Sequence, residues 1–384
     1  MVPAVLLRPA CRHLFAKKIR FYHRELFVRF GTDFLKMSCR QAVKHSNVLT
    51  MEIRTVSRPS CPLCGGTGDI LHSKMQDRMS AVPGNWPLRR CSNADCGLSW
   101  LDPGPVESDI PLFYLNYFTH ECNDPKQKFL ERVYSLIYAG YRIVTRIPSA
   151  LLGLNQARHQ MRHMFLDDAE PGRLLDVGCG SGDFLHRMHN RGWSVTGIDF
   201  DAKAIENAKK RAGEGSTFLN TDLSGARFTD DSFDAITMSH VIEHVPDPVA
   251  LLTEIRRVLK PGGRLVVTTP NIRSFGHEKF QDCWYGLDAP RHLQVFSLPA
   301  LQLCARRAGF GAMKTSSSAA HADGLFGISY GFMQAKAKTG YFYEMKAHFN
   351  FIRGLRSLLL QYKEAWWMRH NPECGEEAVL ICHK

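Results

Sequence analysis

The sequence predicts an α/β protein built on a doubly wound, largely parallel sheet, and three observations carry that prediction. The first is Arg173-Leu174-Leu175-Asp176-Val177-Gly178-Cys179-Gly180-Ser181-Gly182-Asp183, an apolar run closed by an acid and then by three alternately spaced glycines. It reads as a buried strand, a tight turn and the start of a helix. The second is the alternation of short apolar runs with helical patterns through the following residues, which implies strand–helix–strand units. The third is that the next two strands each end in an acid, Asp199 and Asp222. In such a sheet the ligand crevice lies outside the carboxyl ends of the strands, where these acids fall.

The 384 residues leave room for one full α/β domain and one or two smaller units. Formal charge is +12, but its location matters. Residues 1–50 hold ten Lys or Arg against Glu25 and Asp33, so most of the excess sits in one terminal segment. This basic extension is expected not to belong to the native protein, with Met37 or Met51 as starts; an organellar presequence is the alternative. Twelve scattered cysteines, four at metal-ligand spacing, point to a reducing, cytoplasmic setting rather than a disulfide framework.

Residues 51–108 form the first expected module. Cys61-Pro62-Leu63-Cys64-Gly65 and Cys91-Ser92-Asn93-Ala94-Asp95-Cys96-Gly97 give C-x2-C-x26-C-x4-C, each pair on a short turn before a glycine. This is close to a zinc-ribbon spacing and supplies four thiolates with no open position, so the expected zinc is structural. Residues 109–167 follow as a helical connector or lid, with Pro148 expected to break it into two helices. Packing on the catalytic domain is preferred, and contact with a membrane surface is the alternative.

The core is expected over 168–318. After the glycine turn comes a helix with Phe184, Leu185 and Met188, then strand Ser194–Asp199, with Asp199 placed 21 residues after Gly178 to accept hydrogen bonds from ribose hydroxyls. Strands Thr217–Leu223, Phe233–Met238 and Gly263–Thr269 follow, then Ala312–Ser318. A dinucleotide fingerprint would need Gly or Ala at position 183. Asp183 stands there, and with Asp176 it suits a ligand carrying an amine and a positive sulfonium rather than a pyrophosphate.

The spacing D-x-G-x-G-x-G resembles the first motif of the class I S-adenosylmethionine-dependent methyltransferases. The run Asp230–Pro248 is similar to that family's fourth block, and Leu259-Lys260-Pro261-Gly262-Gly263 to its fifth-strand turn. The resemblance covers about residues 168–318 and implies a Rossmann-like methyltransferase sheet. It also implies that Asp176, Gly178, Cys179, Gly180 and Gly182 hold the methionine part of the cofactor. By the same carry-over Asp199 and Phe200 flank the ribose, Asp222 and Leu223 face the adenine, and Ser239 lies on the cofactor crevice. The pattern His240-Val241-Ile242-Glu243-His244 also fits the H-x-x-E-H of zinc proteases. That reading is set aside, because the motif directly follows a strand and Pro246 comes two residues later.

Residues 319–374 read as a helical insertion, with Phe351, Leu355, Leu358, Leu359, Tyr362 and Trp366 at helical spacing. Packing against the 129–165 helices is preferred, and a basic amphipathic contact with a membrane or a lipid-linked substrate is the alternative. Residues 375–384 supply the final core strand. Methyl transfer is an in-line displacement that depends on placement of the acceptor, and His240, His244 and His292 are the candidate bases. The acceptor class is small or carrier-linked: a sugar, lipid or quinone-like molecule. RNA gripped by the zinc module is the alternative. It is disfavoured because the module is not strongly basic and no Asn/Asp-Pro-Pro-aromatic motif follows the fourth strand.

Overall fold

The computed structural model describes residues 52–80, 82–114, 145–339 and 351–384. The basic extension, and the part of the predicted connector before residue 145, lie outside them. The chain divides into two compact units, and the described residues fall almost wholly in the larger one, 44–119, 149–344 and 350–384. Among the described residues no helix is long and apolar enough to cross a membrane.

The N-terminal part is a set of short strands: β1 (Thr55–Val56), β2 (Gly68–His72), β3 (Leu88–Cys91), β4 (Ser99–Leu101) and β5 (Gly104–Pro105). Antiparallel β1 and β5 pair as a ribbon. Strands β2, β3 and β4 form an antiparallel sheet whose edge is extended by residues 294–295 of the core. Ser297 strengthens that junction, its hydroxyl donating to the Cys96 carbonyl at 2.6 Å while accepting from the Ala300 amide. So small a sheet buries little apolar surface by itself, and Leu63, Leu98 and Trp100 are covered by sharing a core with the larger domain.

That domain is a seven-stranded sheet made of β6 (Arg173–Val177), β7 (Ser194–Asp199), β8 (Thr217–Asn220), β9 (Phe233–Ser239), β10 (Leu259–Pro270), β12 (Ala312–Ser318) and β13 (Glu377–His383), with β11 (Gln294–Val295) belonging to the small sheet. The order is β12-β13-β10-β9-β6-β7-β8. Six strands run in one direction, and β13 lies antiparallel between β10 and β12. Leu174, Leu175, Ile236, Leu265 and Val267 are fully buried, as expected of central strands covered by helices on both faces. The helices start where their caps dictate. Asp201 accepts from the amides of Lys203 and Ala204, Asp247 from Ala250, and Ser297 from Ala300.

Three expectations change. Strand β8 stops at Asn220, so Asp222 lies on the turn behind it rather than at the strand end. The helical break before the core falls at Gly153, in the left-handed region at φ 74°, not at Pro148. The helix Phe351–Trp367 forms as predicted, but its inward face is mixed, with polar residues buried beside Leu358, Leu360 and Ala365. Ser357, Gln361 and Glu364 are buried, whereas Leu355, Leu359 and Trp366 are about half exposed. Gln361 is accommodated there because its amide nitrogen donates to the carbonyls of Ala319 and Ala320, and its oxygen accepts from Arg158 at 3.0 Å. The packing partners include the helix Ala322–Thr339 and, through Arg158, the helix Leu154–Arg162.

Candidate active site

The glycine turn follows β6. Gly178, Gly180 and Gly182 all have positive φ, which L side chains rarely adopt. At Gly178 a β-carbon would also strike the side chain of Val241. The turn is pinned to β7 by the amides of Gly178 and Cys179, which donate to the Ile198 carbonyl. Asp199 fixes it from the side, one carboxylate oxygen accepting from the Gly180 amide at 2.8 Å and the other from Asp201 at 2.9 Å. Each oxygen keeps a further lone pair, so the residue can still take ribose hydroxyls. Burial pushes its carboxyl above the ordinary range, with the two amides acting against that shift.

Asp176 is buried beneath the turn, and the Thr237 hydroxyl donates to it at 2.7 Å. Cys179 is buried against Gly197, where desolvation raises its thiol, so it contributes packing rather than reactivity. Asp183 does not face the crevice alone, because it is ion-paired to Arg211 at 2.6 Å. Asp222 accepts from the Gly225 amide at 2.6 Å, which shapes the turn expected to meet the adenine, with Leu223 buried beside it. Ser239, at the end of β9, accepts from the Thr268 hydroxyl at 3.0 Å. Phe200 is 68 % exposed at the end of β7, and its ring meets Tyr114 edge-on at 5.3 Å.

Tyr114 joins this crevice to a second cluster. Its hydroxyl lies 2.9 Å from Nδ1 of His244. The short helical turn Ile242–His244 follows β9, and His292 comes from the loop before β11; the His244 and His292 rings are 4.7 Å apart. Glu243 is fully buried between them and accepts from the Thr269 hydroxyl at 2.9 Å. His240, in the left-handed region at φ 56°, lies 2.9 Å from Glu377 and 3.3 Å from Glu243. His321 approaches the other oxygen of Glu377 at 3.3 Å. The three histidines singled out in the sequence therefore converge.

Their protonation differs. Partial burial opposes charge on His240, but Glu243 and Glu377 outweigh it and push the imidazole up to about 10. Its two carboxylate partners therefore favour the cationic form of His240 at neutral pH. Burial, reinforced by His292, pushes His244 down to about 4, so it is neutral. Glu243 is held down at about 2, His240 overcoming its desolvation.

Beneath this cluster lies a buried charge triad. Arg291 is fully buried and grips Asp77 through two hydrogen bonds, at 2.9 and 2.8 Å, and Asp288 through two more, at 2.9 and 2.5 Å. It ties the loop carrying His292 to the N-terminal segment. The carbonyl of Arg291 also accepts from His244 Nδ1 at 3.0 Å.

Sequence reasoning missed Tyr114, Thr237, Arg291 and Glu377. Glu377 was accessible in principle, since a final strand antiparallel to β10 must begin at the carboxyl edge. Tyr114 precedes the core by a long stretch of sequence and carries no such signal.

In the N-terminal sheet, ligand atoms of Cys61, Cys64, Cys91 and Cys96 lie within 4.8 Å of one another, with Cys61 and Cys96 sulfurs 3.7 Å apart and those of Cys64 and Cys91 3.4 Å apart. The contact with Cys96 holds the Cys61 thiol below its ordinary range despite burial. This donor set fits a tetrahedral thiolate-bound ion without rearrangement of the fold.

The strand order, the glycine turn and the acids at the carboxyl edge together define a doubly wound nucleotide-type domain of the kind that binds a methyl donor. The family model described as a methyltransferase domain matches residues 154–314. A ubiquinone/menaquinone biosynthesis C-methyltransferase from Geotalea daltonii is 32 % identical over 163 residues, 40 % of this chain and 68 % of that protein. One of the same description from Desulfotalea psychrophila is 34 % identical over 147 residues, 37 % of this chain and 58 % of that protein. A ubiquinone biosynthesis O-methyltransferase from Aeromonas salmonicida is 38 % identical over 103 residues, 26 % of this chain and 43 % of that protein. The chain thus spans about half the length of the latter two relatives. It belongs to the class I S-adenosylmethionine-dependent methyltransferases.

Proposed function

We propose that the protein transfers the methyl group of S-adenosylmethionine to a small, quinone-like acceptor bound against His240, His244 and His292. The observation that carries this reading is the continuity of the two clusters: Tyr114 touches Phe200 on the cofactor side and His244 on the acceptor side. The names of the curated relatives, C- and O-methyltransferases of quinone biosynthesis, support the acceptor class.

The glycine turn and Asp176 would hold the methionine part, Asp199 the ribose, and Asp222 with Leu223 the adenine. When bound, the cofactor supplies an electrophilic methyl on a sulfonium. The protein's part is placement, since the acceptor atom must approach to about 3–3.5 Å in line with water excluded. His240, as a cation, draws an acceptor oxygen that carries or develops negative charge. His244 and His292 stand beside it as the candidate proton acceptors. The Cys61, Cys64, Cys91 and Cys96 set would hold a structural zinc that stabilises the small sheet on which β11 docks.

The test is turnover of S-adenosylmethionine by the purified protein with catechol, quinol and methoxyquinol acceptors of differing tail length, followed by release of S-adenosylhomocysteine. The expected result is turnover with a phenolic or quinol acceptor that His240→Gln lowers. Turnover confined to RNA or to sugars would refute the acceptor assignment.

A further inference from the structure

We infer that His159, His163 and Asp167 form a transition-metal site at the C-terminal end of the helix Leu154–Arg162, on the edge of the sheet opposite the methyl-donor crevice. One ligand atom from each of the three lies within 4.8 Å of the others. Two imidazoles and one carboxylate are a donor set for zinc, cobalt(II), nickel(II) or copper(II), and three protein ligands leave a position for water.

The chelate follows from spacing and from a sharp reversal of the chain. His159 and His163 are four residues apart, which puts both rings on one face of the helical turn, and their centroids lie 4.4 Å from each other. The chain then turns back through Met164 and Phe165, both in the left-handed region at φ 47° and 52°, and brings Asp167 to the same face. Such side chains rarely adopt that conformation, so contacts around the turn must hold it. The partial negative charge at a helix C-terminus adds to Asp167 in favouring a cation there.

The distances are those between ligands of one ion. Asp167 Oδ1 lies 3.3 Å from His159 Nε2 and 3.2 Å from His163 Nδ1. Two bonds of about 2.0–2.1 Å meeting at a tetrahedral angle separate their ligand atoms by about 3.3–3.4 Å. The His163 side chain is only 11 % exposed, and its Nδ1 meets Asp167 outside hydrogen-bond geometry. His159 is 58 % exposed, which leaves an entry path for the ion. Arg191 is the competitor: it donates to the same Asp167 oxygen at 2.9 Å, and Arg162 adds a second positive charge nearby. A carboxylate oxygen offers two lone pairs, so the ion and Arg191 can share it.

Its place in the fold makes the site structural. Arg191 lies on the turn that leads into β7, and Asp168 pairs with Arg264, which sits opposite Ala235 near the start of β9. Both mark the amino edge of the sheet, whereas the glycine turn and Asp199 follow the carboxyl ends of β6 and β7. The ion would pin the segment that enters β6 without meeting the methyl donor or the acceptor, so the inference stands independently of the proposed methyl transfer.

The experiment is nickel(II) titration of the chelator-treated full chain, read by calorimetry and metal analysis, with nickel held by thiolates counted separately from its charge-transfer absorption. His159→Ala and Asp167→Asn are each expected to bind one nickel ion fewer than the unaltered protein at that non-thiolate site, or to bind it roughly 10-fold or more weakly. Both substitutions lie at the surface, and unchanged circular dichroism reports that the fold survives. His370→Ala, at an exposed histidine on a different helix, should keep the full count. Because the ion binds the folded form, nickel(II) should also raise the melting temperature of the unaltered protein, and that rise should shrink in His159→Ala. Equal nickel content and affinity in the unaltered protein and both variants would overturn the inference. So would a melting-temperature rise undiminished in His159→Ala, or a loss in His370→Ala as large as in His159→Ala. Absence of non-thiolate nickel binding by the unaltered protein would overturn it without any variant.

Discussion

Replacing Arg291 with Leu would leave Asp77 and Asp288 facing each other inside the protein with no counter-charge. The guanidinium is wholly buried, as is the Asp77 side chain, and Asp288 is 5 % exposed. Four hydrogen bonds would be lost. Asp77 would keep the amides of Met79, Ser80 and Val82, which soften but do not neutralise its charge. Removing one partner of a buried ion pair costs about 3–5 kcal/mol, most of it the penalty of the stranded charge. With two carboxylates stranded, the upper part of that range is expected. Urea unfolding followed by fluorescence and circular dichroism measures it. The combined variant Arg291→Leu, Asp77→Asn, Asp288→Asn should recover most of the loss, because the desolvated charges are gone as well. A loss below about 1 kcal/mol for the single substitution, or no recovery in the combined variant, would refute the account of this triad.

Other outcomes follow from the same geometry. Gly178→Ala forces a side chain into the left-handed region and against Val241, so it should cost about 1–3 kcal/mol and abolish cofactor binding, read by thermal melts and calorimetry. His240 has its folded pKa raised to about 10 from 6.5, so its stabilising effect is full below 6.5 and lost as pH rises through 10. His240→Gln should therefore be less stable at pH 7 and lack that alkaline loss in a pH series of melts. Glu364 is fully buried with one oxygen unpartnered, and burial together with Glu376 and Glu377 raises its pKa. Stability from such a raised acid is present below 4.5 and falls as pH climbs, as it does for Glu376, whose own burial pushes it to about 7. Glu364→Gln should match the parent near pH 4.5 and exceed it at pH 8.

The core was legible because its signals are local. An apolar run, glycines at alternate positions and a terminal acid are dictated by strand burial and by a turn that needs positive φ. The four cysteines were legible for the same reason, as two short pairs. What was not legible depends on distant chain segments meeting. Nothing near His240 in sequence announces Glu377, so the pair of carboxylates that favours its cationic form is visible only once β13 lies beside β10. Asp183 looked like a charge for the ligand until Arg211 was placed against it. The pairing of β11 with β4 likewise joins residues almost two hundred positions apart, and composition gave no reason to expect the small sheet to share a core with the large one. The helix Phe351–Trp367 misled for a different reason. Periodicity finds an apolar face, but it does not show that Gln361 is buried beside Leu358, donating to two backbone carbonyls and accepting from Arg158.

The central claim is that the crevice between the glycine turn and Asp199 binds S-adenosylmethionine. Titration calorimetry of the full chain with S-adenosylmethionine tests it directly, with Asp199→Ala as the paired variant. The account predicts one binding event per chain, weakened by about 1.5–3 kcal/mol in the variant, in line with loss of hydrogen bonds to a charged group. Absence of binding by the unaltered protein, or equal affinity in Asp199→Ala, would contradict it.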